Sequence, residues 1–161
     1  MCGIIGIVSR PPTRPTPAAA DLIAGLDAAL AAVPVAVDVT AASRSVDVAM
    51  RGLPGVLALV GRIDVVAAIE SRLDQLDAFG ASVETELDTN TAGLSAESLE
   101  TANAELIDLK DVLWALRHDR LGSIAAVESL AGRDALPAEL AGYLAVQQAL
   151  GGIDRLEVRG R

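Results

Sequence analysis

Aromatic side chains are nearly missing from this chain: Phe79, Trp114 and Tyr143 make up the whole supply, 2% of the residues. Without them there is no platform on which bases could stack, so single-stranded nucleic acid is a poor partner. Charge argues the same way. Thirteen basic residues against twenty-two acidic ones leave a formal net charge of −9, which repels a phosphate backbone, and the basic residues are scattered along the sequence. Cysteine is equally scarce. The single Cys2 cannot form an internal disulfide, and with one histidine, His118, there is no set of soft ligands for zinc, so no metal and no cofactor are expected. Long apolar runs are lacking too, although mean hydropathy is +0.42. The best candidate, Leu53 to Ile69, is interrupted by Pro54, Gly61, Arg62 and Asp64, and no stretch reaches the roughly 18 apolar residues that a membrane span needs. The opening apolar run is shorter than a signal-sequence core and has no basic residues before it. A cytoplasmic protein with no membrane partner is expected.

What the chain has in quantity is Ala, Val and Leu. Residues of the AVILMFWYC set make up 52% of the total, a mixture suited to helices packed closely through small side chains. From Thr16-Pro17, an N-cap followed by a first-turn proline, Leu22, Ile23, Leu26 and Leu30 keep helical spacing to about Val33, where Pro34 ends the helix. Val35 to Val39 alternates weakly and is compatible with an extended segment. Thr40 to Leu53 places Val46, Met50 and Leu53 at helical spacing.

Two heptad runs follow. Leu59, Val66, Ile69, Leu73, Leu76, Val83 and Leu87 form the first; Leu99, Ala102, Leu106, Leu109, Leu113 and Leu116 form the second. Between them lies the turn-rich stretch Asp88 to Gly93, and Ser95 with Glu97 marks a helix start. An antiparallel helical hairpin is predicted, with leucine layers meeting across the seam. A last helix is expected from Pro137 to Leu150, stopped at Gly151, and Ile153 to Val158 reads as a strand. Neither His118, beside Arg117 and Asp119, nor the carboxylates Glu70, Asp74 and Asp77 on one helix face need more than a solvated surface to explain them.

Chemistry is concentrated at the amino terminus, Met1-Cys2-Gly3-Ile4-Ile5-Gly6-Ile7-Val8. Trimming of Met1 would place a thiol and a free α-amine on one residue. An α-amine titrates at about 7.7 to 8 and can accept the thiol's proton near neutral pH, giving an activated nucleophile that needs no histidine. Gly3 permits close approach of a substrate, and the run Ile4 to Val8 reads as a short buried strand. Ser9 to Pro17, with four prolines, is a stiff extended connector to the first helix.

Met-Cys-Gly-Ile-Ile-Gly-Ile resembles the opening of the class II, N-terminal nucleophile, glutamine amidotransferases. A second segment, Leu156-Glu157-Val158-Arg159-Gly160-Arg161, is similar to the Leu-Glu-Tyr-Arg-Gly-Tyr run that follows the first helix in the glucosamine-6-phosphate synthase branch, although Arg161 departs from the Tyr or Gln usual there. Amidophosphoribosyltransferase and asparagine synthetase open similarly, and the Leu-Glu dipeptide leans towards the sugar-phosphate enzymes. The resemblance implies that Cys2 attacks the side-chain amide of glutamine, that the released ammonia passes to a sugar phosphate such as fructose-6-phosphate, and that Gly3, Arg159 and Gly160 support the nucleophile strand.

The implied fold is mainly α in this chain. It is a helical bundle or antiparallel hairpin inserted between two short strands of an N-terminal nucleophile α/β fold that is incomplete here. The divisions are 1–33 for the start of the amidotransferase domain, 34–136 for a helical insertion, and 137–161 for a return helix and second strand. The family's oxyanion-hole and glutamine-holding segments are not found, so the chain alone is expected to be inactive and to begin a larger protein. The insertion is a candidate surface for homo-oligomer formation. The alternative expectation is a non-catalytic helical interaction protein.

Overall fold

A computed structural model describes residues 6–8, 10–89 and 95–159, with side chains as far as residue 153. Its helices are α1 (Ala19–Ala31), α2 (Ala36–Met50), α3 (Gly52–Leu59), α4 (Ile63–Thr89), α5 (Ala96–Trp114), α6 (Gly122–Ala131) and α7 (Pro137–Arg159), with a π-helical segment, Ala115–Leu121, joining α5 to α6. There is no strand among the described residues.

Four of these helices close into a ring. α1 packs on α2 and α4, and α5 packs on the same two from the other side. Each contributes a stripe at helical spacing: Leu22 and Leu26 from α1, Val39, Val46 and Met50 from α2, Ile69, Leu73 and Leu76 from α4, Leu106, Leu109 and Leu113 from α5, all buried. Small side chains set the spacing of the first pair. A Cβ at Gly25 would stand 2.5 Å from Val46 Cγ2, so α1 and α2 approach at a distance that only glycine allows.

The heptad runs form the expected antiparallel pair α4/α5. Lys110 reaches Glu84 at 2.5 Å, while Arg117, further along, reaches Asp77 and Asp74 further back, at 2.6 and 2.9 Å. Leu59 belongs instead to α3. Ser95 caps α5 as its sequence implies, its Oγ accepting from Ser98 N–H at 3.1 Å. Beyond the ring, α3, α6 and α7 pack together at one end, adding Val56, Leu59, Ile124, Val127, Leu140 and Leu144 to the same core. The apolar run Leu53 to Ile69 is split between α3 and the start of α4, which meet at 113°, and no single helix is long and apolar enough to cross a membrane.

Several boundaries differ from expectation. α1 starts at Ala19 with Ala18 as its N-cap, leaving Thr16 and Pro17 outside. The stretch expected to be extended is helical from Ala36, with only Val35 extended as N-cap. The chain turns at Arg51 (ψ 136°), so Leu53 falls in a separate helix. Ile153 to Val158, expected as a strand, forms the last turns of α7, and Gly151 does not stop that helix. The physical reason is pairing. A lone strand leaves its N–H and C=O groups without partners, whereas helix continuation satisfies them locally, and no strand edge is available among the described residues. At the other end, Gly6 to Val8 are exposed and in no strand, and Ile4 and Ile5 lie outside the described residues.

Candidate functional site

Of the residues expected to carry chemistry, Cys2, Gly3 and Gly160 lie outside the described residues, and Arg159 is placed only as the last residue of α7. The described residues show how the chain leading away from Cys2 is fastened. Arg14, on the proline-rich connector, donates through Nη1 to the Val48 carbonyl and through Nη2 to the Arg51 carbonyl at 2.6 Å. These carbonyls lie where α2 ends, the negative pole of the helix dipole, so a guanidinium is well suited to bind there.

The connector forms one wall of a cleft of about 840 Å³. Arg10 to Arg14 face the corner Arg51 to Pro54 and, on α7, Ala141, Leu144 and Gln148. Arg10 to Arg14 and the first half of α7 thus line one cleft. An adjoining, more polar cleft of about 460 Å³ shares Gly52, Leu144 and Gln148, and adds Arg120, Asp119, Ser123 and Gln147.

Behind this corner lies the one buried acid among the described residues. Asp47, on α2, is 2% exposed. It accepts from Arg51 Nε at 3.0 Å and from Arg51 Nη2, and on its other oxygen from Arg120 Nε at 2.8 Å. The π segment makes this possible. Its i→i+5 spacing brings both Leu116 and Leu121 into the core, and the wider turn sends Arg117 to α4 and Arg120 to α2. One turn earlier on α2, the hydroxyl of Ser43 is buried without a hydrogen-bond partner among the described residues. The pattern Val39, Ser43, Val46, Asp47, Met50 was the available sequence signal: two polar residues at core-facing positions of a helical stripe.

Several other charged groups pair between neighbouring elements, mostly at the surface. Arg72 reaches Asp27 on α1 at 2.6 Å, and this hydrogen bond lowers the Asp27 carboxyl below its ordinary range. Asp74 and Asp77 pair with Arg117. Glu128 accepts from the backbone N–H of Gly61 at 3.0 Å and from Arg133 at 2.9 Å. Its carboxyl is lowered chiefly by the Gly61 bond, against the opposing effect of burial, with Arg133 adding to the lowering. Gly61 itself has φ +75°, a left-handed corner between α3 and α4 that leaves its N–H facing Glu128. His118 is exposed, within the π segment, its ring 5.0 Å from that of Trp114. No group of three or more His, Cys, Asp or Glu among the described residues could hold a metal ion. Neither protein families, nor curated proteins, nor solved structures yield a match to this chain.

Proposed function

We propose that this chain is the nucleophile-bearing part of a class II glutamine amidotransferase, of the branch that delivers ammonia to a sugar phosphate. The observation that carries the reading is the ordered pair of segments, Met1 to Ile7 and Leu156 to Arg161, that resemble that family's opening and the run after its first helix. One feature of the fold supports it: a helical unit carried by another domain must have its own core, and here one core runs from Ala19 on α1 to Leu144 on α7.

In the proposed reaction the α-amine of Cys2 takes the thiol proton, and the thiolate adds to the amide carbon of the glutamine side chain. The tetrahedral intermediate collapses to a γ-glutamyl thioester as the amine returns a proton to the leaving ammonia. Water then cleaves the thioester, giving glutamate and the free thiol. A nucleophile of this kind works only beside donors that stabilise the oxyanion, each worth about 10²- to 10³-fold in rate. The test is glutamate release from glutamine by the protein purified from its native cell, compared with its Cys2→Ala variant. Release confined to the Cys2 form supports the proposal; equal release from both overturns it.

A second reading is favoured by α7. Leu140 to Ile153 contains no charged residue, and Tyr143, Val146, Leu150 and Ile153 are each 39–49% exposed along it. On this reading the chain is a non-catalytic helical interaction or oligomerisation module. Sedimentation of a monomer at high concentration would remove self-association from that reading.

A further inference from the structure

We propose that the larger cleft, between the connector, the α2–α3 corner and α7, binds a small phosphorylated anion. Charge is segregated at this corner. A chain of net charge −9 with its arginines scattered in sequence gathers Arg10, Arg14 and Arg51 around one concavity that no Asp or Glu lines among the described residues. The adjoining cleft brings Arg120 to the same corner, together with Asp119. Asp47 sits behind the corner and is shared by Arg51 and Arg120, so one carboxylate answers two guanidiniums. The bonds of Arg14 are to neutral carbonyls, which orient its charge without cancelling it. Arg10 forms no ion pair among the described residues. A concave wall of arginines focuses positive potential, and planar guanidiniums bind phosphoryl oxygens through paired hydrogen bonds.

The volume, about 840 Å³, is that of a small-molecule site, which falls roughly between 300 and 1,000 Å³. Charge speaks against a polymer: the basic wall is local, and a chain of net charge −9 repels a longer phosphate backbone. Thr13, Gln148 and, next door, Ser123 and Gln147 offer neutral polar groups for the uncharged part of such a molecule. Because Arg10 and Arg14 belong to the connector, the bound anion would tie it to α3 and α7. This inference stands apart from glutamine chemistry, and either can fail alone.

The experiment is calorimetric titration of the purified protein with inorganic pyrophosphate at low ionic strength. Saturable binding at one site per chain is expected, weakening as salt is added. Arg10→Gln, an exposed change that leaves the fold intact, should weaken binding about tenfold, the worth of one charge-assisted hydrogen bond. Arg133→Gln, in the turn after α6 and not among the residues lining this cleft, should leave it unchanged. Absence of saturable binding up to roughly 10 mM would overturn the proposal, as would equal weakening by Arg10→Gln and Arg133→Gln, since that pattern means diffuse attraction.

Discussion

Removing the Asp47 carboxylate tests how the bundle tolerates a charge in its interior. Its side chain is 3% exposed, while those of its partners, Arg120 and Arg51, are 21% and 54% exposed. In Asp47→Ala three hydrogen bonds are lost and two guanidiniums lose their shared acceptor. Arg51 can turn to water at little cost, but Arg120, held on the π segment, stays largely shielded. Breaking a buried pair costs about 3–5 kcal/mol when the remaining charge is trapped, and the half-open setting of Arg51 places Asp47→Ala near the lower end, about 3 kcal/mol. Arg120→Ala leaves Asp47 still paired with Arg51 and should cost about 1.5–2 kcal/mol, one charged hydrogen bond. Arg51→Ala, at the surface, should cost no more than about 1 kcal/mol. Joint replacement of Asp47 by Leu and Arg120 by Met should recover most of the loss, because a well-packed apolar pair of similar volume commonly equals a buried ion pair. Urea unfolding followed by far-ultraviolet circular dichroism reads these differences as midpoint shifts at constant slope. An Arg51→Ala cost equal to that of Asp47→Ala, or an Asp47→Ala cost below about 0.5 kcal/mol, would refute the reasoning, since surface substitutions lie in that range.

Leu109→Ala, at a fully buried seam position of α5, should cost about 2–5 kcal/mol in the same assay, and Ile107→Ala, at 59% exposure, about 0.5 kcal/mol or less. Gly142→Ala should raise stability by about 0.5–1 kcal/mol, because a Cβ there meets nothing within 4 Å and the residue is helical. Gly55→Ala should be severely destabilising, since its Cβ would stand 1.9 Å from the Met50 carbonyl oxygen, a backbone atom with no freedom to retreat. The Glu128 carboxyl is lowered in the folded state, so its contribution is complete above its ordinary 4.5 and is lost as pH falls through the folded value. The stability gap between wild type and Glu128→Gln, open at about pH 6, should therefore close as the pH drops below the ordinary carboxylate range; a gap independent of pH would contradict this.

The α4/α5 seam was legible in the sequence because one leucine stripe decides it: Ile69, Leu73, Leu76, Leu106, Leu109, Leu113 and Leu116 all face the core. Less legible was the way the hairpin is completed. α1 and α2 are rich in Ala and Val, and their fit against α4 and α5 rests on close approach at Gly25, which no periodicity announces. The π segment was hidden because one extra residue per turn looks like a missed heptad. Asp47 went unremarked since an acid at a core position reads as a break in the stripe until Arg120, 73 residues later, is brought beside it. The arginine cleft was invisible for the same reason: Arg14 and Arg51 are 37 residues apart. Ile153 to Val158 shows the reverse failure, where a local resemblance implied a strand whose partner edge is not among the described residues.

The proposed role of Cys2 as a glutamine-directed nucleophile is read out by intact and peptide mass after incubating the native protein with an electrophilic glutamine analogue. An amino-terminal Cys2 with Met1 removed, one covalent adduct per chain on that residue, protection by glutamine, and no adduct in Cys2→Ala are expected. A retained Met1, or a Cys2 that the analogue leaves unmodified, would contradict it.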